Sequence, residues 1–156
     1  MTGARVKRVQ KYLGDEEDFL LTYGDGVSDV DLDGLVLFHK SHGRVLTVTG
    51  VRPPARFGEI DADDSGEVRE FNEKPQAMEG CISGGFFVVN KRIFDYLDDD
   101  EGLVLEEGPM QRLVADRQMM LFRHEGFWQC MDTFRDFQLL NRLYRDKKSP
   151  WVNWED

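Results

Sequence analysis

The sequence predicts an α/β fold with a mixed sheet, and three features predict it. Short apolar runs of strand length alternate with stretches of helical period. The runs end in Gly- and Asp-rich turns. One pair of runs is so closely spaced that it must form a hairpin inside the alternating order.

Each element follows from local chemistry. Met1 to Gln10 is basic and reads as a turn running into an amphipathic helix. Asp18 to Tyr23 is an apolar run ending at Gly24-Asp25-Gly26, which predicts a buried strand closed by turn residues. Asp31 or Asp33 is placed to cap a helix carrying Leu32, Leu35, Val36 and His39 or Lys40, and Gly43 is placed to stop it. Val45 to Val51 is β-branched and reads as a second strand. Arg52 to Gly58 reads as a loop. The segments around Glu59 and Val68–Phe71 flank Asp63-Asp-Ser-Gly66 and form the hairpin, which Asn72-Glu73-Lys74-Pro75 leaves. Ile82 to Asn90 reads as a loop feeding a fully buried strand. Helices are expected over 91–97 and 107–116, the second with Pro109 in its first turn. A strand over 119–123, a loop over 127–133 and a last helix over 134–145 complete the order. In that helix Phe137, Leu140, Asn141 and Tyr144 share a face.

At 156 residues the chain suits a single domain, residues 1–156, and a domain of that size buries roughly 70% of its unfolded surface. Hydrophobic residues make up 40% and aromatics 12%, enough for a packed core without metal or disulfide. The net charge of −10 repels phosphate backbones and anionic lipid, so neither nucleic acid nor a membrane is an expected partner. No apolar run reaches the ~20 residues of a membrane span, which predicts a cytoplasmic protein. Cys81 and Cys130 lack metal-ligand spacing and are expected to be buried, reduced thiols. His39, His42 and His124 are scattered and are expected to be neither ligands nor general bases.

Four places carry candidate chemistry, and each has a plainer explanation. Asp25, at the end of a strand and flanked by Gly24 and Gly26, lies where open α/β sheets bind ligands, and one carboxylate suffices to begin a Mg²⁺ site. An Asp-Gly turn alone would explain it. Lys74 beside Glu73, with Pro75 behind, offers a point charge to a phosphate. A surface ion pair at a hairpin exit is the alternative. Gly84 and Gly85 before a buried strand suit close approach by a ring-shaped ligand, or a bulge. Asp132 follows Trp128 and is either a second metal carboxylate or the cap of the last helix.

Taken singly these signals are weak; their order is specific. The phrases Met1-Thr-Gly-Ala-Arg5, Thr22-Tyr-Gly-Asp-Gly-Val27, Pro53-Pro54 with Arg56-Phe-Gly58, Phe71-Asn-Glu-Lys-Pro75, Gly84-Gly-Phe-Phe87 and Gly126-Phe-Trp-Gln129 resemble the sugar-1-phosphate nucleotidylyltransferase family. Within it they resemble the branch that uses CTP and glucose 1-phosphate. The resemblance covers nearly the whole chain. It implies a Rossmann-like, GT-A-like sheet and Mg²⁺-dependent cytidylyl transfer giving CDP-glucose, a precursor of deoxysugars in surface polysaccharide such as O-antigen.

It further implies that Asp25 and Asp132 hold Mg²⁺ and that Arg5 and Gly24 touch the nucleotide. Glu73, Lys74, Gly84 and Gly85 would bind the sugar phosphate, and a full-length homo-oligomer is expected. Ser83 departs from the pattern, standing where a residue such as Asn is usual. The family's Gly-x-Gly-Thr-Arg segment, which wraps the triphosphate, does not occur in the sequence. The expectation is therefore a sheet incomplete at the N-terminus and a fragment inactive alone. Two rivals accompany it: a relative using UTP or dTTP, and a non-catalytic truncated or split half that needs an N-terminal partner chain.

Overall fold

The structure, a computed structural model, describes residues 1–52, 59–72 and 80–153. In chain order it runs α1 (Thr2–Val9), β1 (Asp18–Leu21), β2 (Gly26–Ser28), α2 (Leu32–His42), β3 (Leu46–Val51), β4 (Glu59–Ala62), β5 (Val68–Asn72), β6 (Ile82–Asn90), α3 (Gly108–Ala115), β7 (Met119–His124), β8 (Trp128–Cys130) and α4 (Phe134–Arg145). Four strands form the main sheet in the order β1-β6-β3-β7. β3 runs parallel to β7, and the other two pairings are antiparallel, so the mixed α/β expectation holds.

Alternation along β3 assigns the layers. Leu46 and Val48 join Phe87 and Val89 of β6 in the main core, with Val6 of α1, Ile93 and Phe94 of a 3-10 turn, and Leu113 of α3. The intervening Thr47 faces the other way, onto His39 of α2. Helices therefore cover both faces of a central sheet, which is why all six residues of β3 are buried.

The α2 face carries a polar relay whose direction is fixed. Arg44 N–H donates to His42 Nδ1 at 2.9 Å, so His42 Nε2 bears the proton it directs at Thr47 Oγ1, 2.8 Å away. The Thr47 hydroxyl then donates to His39 Nδ1 at 2.8 Å. That leaves His39 Nε2–H for Asp18 on β1, at 3.5 Å. Burial lowers the pKa of both rings; for His39 it outweighs the opposing pull of Asp18, and for His42 the neighbouring His39 and Arg44 add to it.

Several boundaries differ from expectation for physical reasons. β1 lies at the sheet edge with Leu20 56% exposed, so it is half-covered where a buried strand was expected. Residues 82–90 are strand throughout, placing Ser83, Gly84 and Gly85 within β6 and not in a loop before it. The expected helix after Asn90 is a 3-10 turn, Lys91–Tyr96. Asp31 caps α2, accepting from Gly34 N–H at 2.9 Å, and Gly43 closes it at φ 61°. The hairpin is β4–β5, its turn tied by Ser65 N–H to Asp63 at 2.9 Å. The shared face of α4 is left largely open: Leu140 is buried, but Phe137 and Tyr144 are 46% and 65% exposed. Cys81 and Cys130 are free thiols, half-buried instead of buried. Among the described residues no helix is long and apolar enough to cross a membrane.

Candidate active site

Two short strands unforeseen in the sequence organise the site. β2 leaves the Gly24-Asp25 turn and pairs antiparallel with β8, with Gly26 opposite Cys130, Val27 opposite Gln129 and Ser28 opposite Trp128. Met131 N–H donates to Asp25 C=O at 2.8 Å, extending the ladder by one step. Asp25 thus stands opposite Met131, and Asp132 is the next residue along. Residues 25 and 132, expected to share a metal and 107 positions apart in sequence, lie at the same end of one ladder. Both are exposed.

The alternative role for Asp132 is not the one the helix uses. Thr133 is the N-cap of α4: its hydroxyl accepts from Asp136 N–H at 3.2 Å, while Asp136 accepts from Thr133 N–H at 2.9 Å. This capping box leaves the Asp132 carboxylate out of the cap. Cys130 donates its thiol to Asp132 at 3.2 Å. Burial, and then Asp132, push the Cys130 thiol up to about 11, so it remains a protonated donor.

The glycine pair has a packing reason of its own. Gly85 sits at φ 77°, and a Cβ there would lie 2.4 Å from the Tyr23 ring. A Cβ at Gly84 would lie 2.8 Å from Val51 and 3.2 Å from the Thr49 carbonyl. The missing side chains thus make room for the protein's own Tyr23 and for Trp128, whose Nε1–H donates to Gly84 C=O at 2.7 Å. Tyr23 also donates to Glu106, which accepts from Thr2 at 2.7 Å. Burial raises the Tyr23 phenol well above its ordinary range, and the Glu106 contact adds to that. Burial would raise the Glu106 carboxyl as well, but the bonds from Tyr23 and Thr2 outweigh it and hold it low. Thr2–Glu106–Tyr23 was not foreseen; it ties α1 to the turn bearing Asp25.

Arg5 is exposed on α1, one turn from Thr2 and on the same helical side. Gly24 is exposed in the turn with open space around it. Glu73 and Lys74, like Pro53 to Gly58, lie outside the described residues. The donor set suits Mg²⁺, a hard cation that takes one or two carboxylates and completes its shell with substrate phosphate and water. Among the described residues no group of three or more His, Cys, Asp or Glu side chains is gathered to hold a metal.

The architecture is that of the GT-A-like α/β nucleotidyltransferases. HddC from Yersinia pseudotuberculosis aligns with a TM-score of 0.62 at 21% identity, covering 92% of this chain and 62% of that one. A putative glucose-1-phosphate thymidylyltransferase from Bacillus anthracis aligns at 0.63 with 17% identity, covering 97% and 61%. The chain belongs to the nucleotidyl transferase family, which it matches over residues 2–147. It is 46% identical to glucose-1-phosphate cytidylyltransferase of Salmonella typhi over 155 residues, 99% of this chain and 60% of that protein. It is 36% identical to a probable glucose-1-phosphate cytidylyltransferase of Bacillus subtilis over 154 residues, 99% and 59%. The chain thus spans about three-fifths of the length of these relatives.

Proposed function

We propose that this chain is part of a glucose-1-phosphate cytidylyltransferase, acting when the remaining length of its relatives is present. The observation that carries the reading is the β2–β8 ladder, which brings positions 25 and 132 to the same end of one strand pair in a chain 46% identical to a protein of that name. A phosphate oxygen of glucose 1-phosphate attacks the α-phosphorus of CTP, the bond to the bridging oxygen breaks, and pyrophosphate leaves with that oxygen and its electron pair. CDP-glucose is the product.

Such a displacement asks for positioning and charge neutralisation more than for covalent help. Asp25 and Asp132 would hold Mg²⁺, which when bound neutralises charge on the phosphates. Arg5 and Gly24 would contact the nucleotide, and Lys74 with Glu73 would hold the sugar phosphate in line. Gly84 and Gly85 would offer backbone atoms to the hexose, since their open faces are taken by Trp128 and Tyr23.

The test is pyrophosphate release by a chain extended to the relatives' length, with CTP, UTP and dTTP in parallel. CTP is expected to be the preferred donor, and preference for UTP or dTTP would reassign the base. In that chain Lys74→Ala should weaken glucose 1-phosphate about ten- to a hundredfold, and CTP less, because a charge-assisted contact is lost. Equal losses for both substrates would make Lys74 structural.

A further inference from the structure

A serine, a histidine and an aspartate converge beside the ladder in an arrangement that looks nucleophilic and is not. His124 ends β7 and is nearly buried, its side chain 10% exposed. Its Nε2 lies 3.0 Å from Asp29 Oδ1, 3.1 Å from Phe127 C=O and 3.2 Å from Ser28 Oγ. The carboxylate and the carbonyl can only accept. The Ser28 hydroxyl gives its own proton to Phe127 C=O at 2.7 Å, so it too presents a lone pair to the ring. Nε2 therefore carries a proton. A nitrogen in that state cannot take one from Ser28, and in a hydrolytic triad the carboxylate would sit at the opposite ring nitrogen.

The same geometry gives the ring another task. Asp29 Oδ1 is shut off from solvent with no hydrogen-bond partner among the described residues, and the His124 ring lies against it at 3.0 Å as a close electrostatic contact. Gly126 closes the cluster: a Cβ there would lie 2.5 Å from Asp29 Oδ1 and 2.7 Å from His124 Cε1. Ser28 is the last residue of β2, Phe127 immediately precedes β8, and Asp29 N–H also reaches Phe127 C=O at 3.2 Å. One protonated nitrogen thus joins the main sheet, through β7, to both strands of the ladder at the end opposite Asp25 and Asp132.

We propose that His124 is a positioning residue for the carboxylate pair: its Nε2–H, set against Asp29 and bonded to Phe127 and Ser28, clamps the β2–β8 ladder to β7 and so fixes where Asp25 and Asp132 stand. The consequence for chemistry rests on the reading of those two residues as the metal pair; the clamp itself does not. Gln at position 124 reaches about as far as the imidazole and keeps a donor there, whereas Phe fills the space with no donor.

The experiment is amide hydrogen exchange on the 156-residue chain and its His124→Phe and His124→Gln variants, with Mn²⁺ binding followed by titration calorimetry. Loss of the ring N–H that ties Phe127 and Ser28 and faces Asp29 should speed exchange at Val27 and Met131 by roughly ten- to a hundredfold in His124→Phe and weaken Mn²⁺ binding. Exchange at Thr47 and Val88 should stay unchanged, and His124→Gln should recover most of both effects. Equal acceleration in the main sheet, or no rescue by Gln, would make His124 an ordinary core residue and overturn the clamp. Faster ladder exchange with undiminished Mn²⁺ affinity would overturn its link to the carboxylates. The reading of the pair itself is checked separately, by Asp25→Asn and Asp132→Asn with the ladder's exchange unchanged. Retained Mn²⁺ binding there would refute the metal assignment and leave the clamp standing.

Discussion

The four-stranded sheet and the β2–β8 ladder are held by different forces. β3 is buried along its whole length and, with β6, supplies an apolar core that α1, α3 and the 3-10 turn cover. Its stability comes from area, at about 25 cal/mol per Å² of apolar surface. The ladder has three residues per strand, all half-covered. It is fixed to the sheet by Trp128 to Gly84 and by the His124 cluster. The sheet makes the fold, while a few directional bonds place the carboxylates. A region of the second kind can be broken without breaking the first.

The sharpest separation is expected from Asp25→Asn and Asp132→Asn in a chain extended to the relatives' length. Each should cut turnover by about a hundredfold or more, because displacement at phosphorus depends on several kcal/mol of cation stabilisation. Both positions are exposed, so the melting temperature should hold. Near-wild-type turnover at saturating Mg²⁺ would sink the assignment.

Phe87→Ala probes the other region. The ring is fully buried, and its loss should cost about 3–5 kcal/mol in urea unfolding. A cost below about 1 kcal/mol would mean that the sheet does not carry the stability attributed to it.

Trp128→Phe keeps an aromatic ring but leaves the Gly84 carbonyl without its donor. The expected cost is about 1–2 kcal/mol, seen chiefly as faster exchange in β8. A global loss as large as that of Phe87→Ala would erase the distinction between the two regions.

The smallest effect should come from pH. Burial lowers the pKa of His39 and His42 below the ordinary value of about 6.5. As pH falls through that value, the unfolded chain binds protons that the folded chain refuses. Stability is then full above about 6.5 and declines toward the lower folded-state pKa values. Urea midpoints at pH 8 and pH 5.5 should differ, and His39→Gln should flatten the difference. An unchanged slope would show that the acid response comes from other groups.

How much of this was legible in the sequence divides along the same line. The main-sheet strands and α2 announced themselves through apolar runs, Asp31 and Gly43, because area and backbone conformation leave local signatures. The ladder did not. Gly26-Val-Ser28 and Trp128-Gln-Cys130 are too short and mixed to show a period, and their pairing spans about a hundred residues. The Gly84-Gly85 pair drew attention for a sound reason, close approach, yet the approaching groups include the protein's own Tyr23. Periodicity found the shared face of α4 but not its exposure, because it reports which residues share a side and not what lies against it. His124 and Asp29 carried no spacing signal. Gly126, set between His124 and Phe127, was the one visible trace of their crowding.

The Thr47 relay also bears on which substitutions this chain can absorb. Its hydrogen bonds form a one-way sequence, Arg44 to His42 to Thr47 to His39 to Asp18, in which each of the three middle members both receives and gives. Only a group that performs both acts can occupy the middle. Valine matches threonine in shape and β-branching, yet at this position it would silence two rings at once, leaving the His42 proton without an acceptor and His39 Nδ1 without a donor. Each orphaned group costs about 1–3 kcal/mol where water cannot reach it. At position 47, likeness of shape is a poor guide to tolerance: serine, smaller but able to speak in both directions, is the milder replacement.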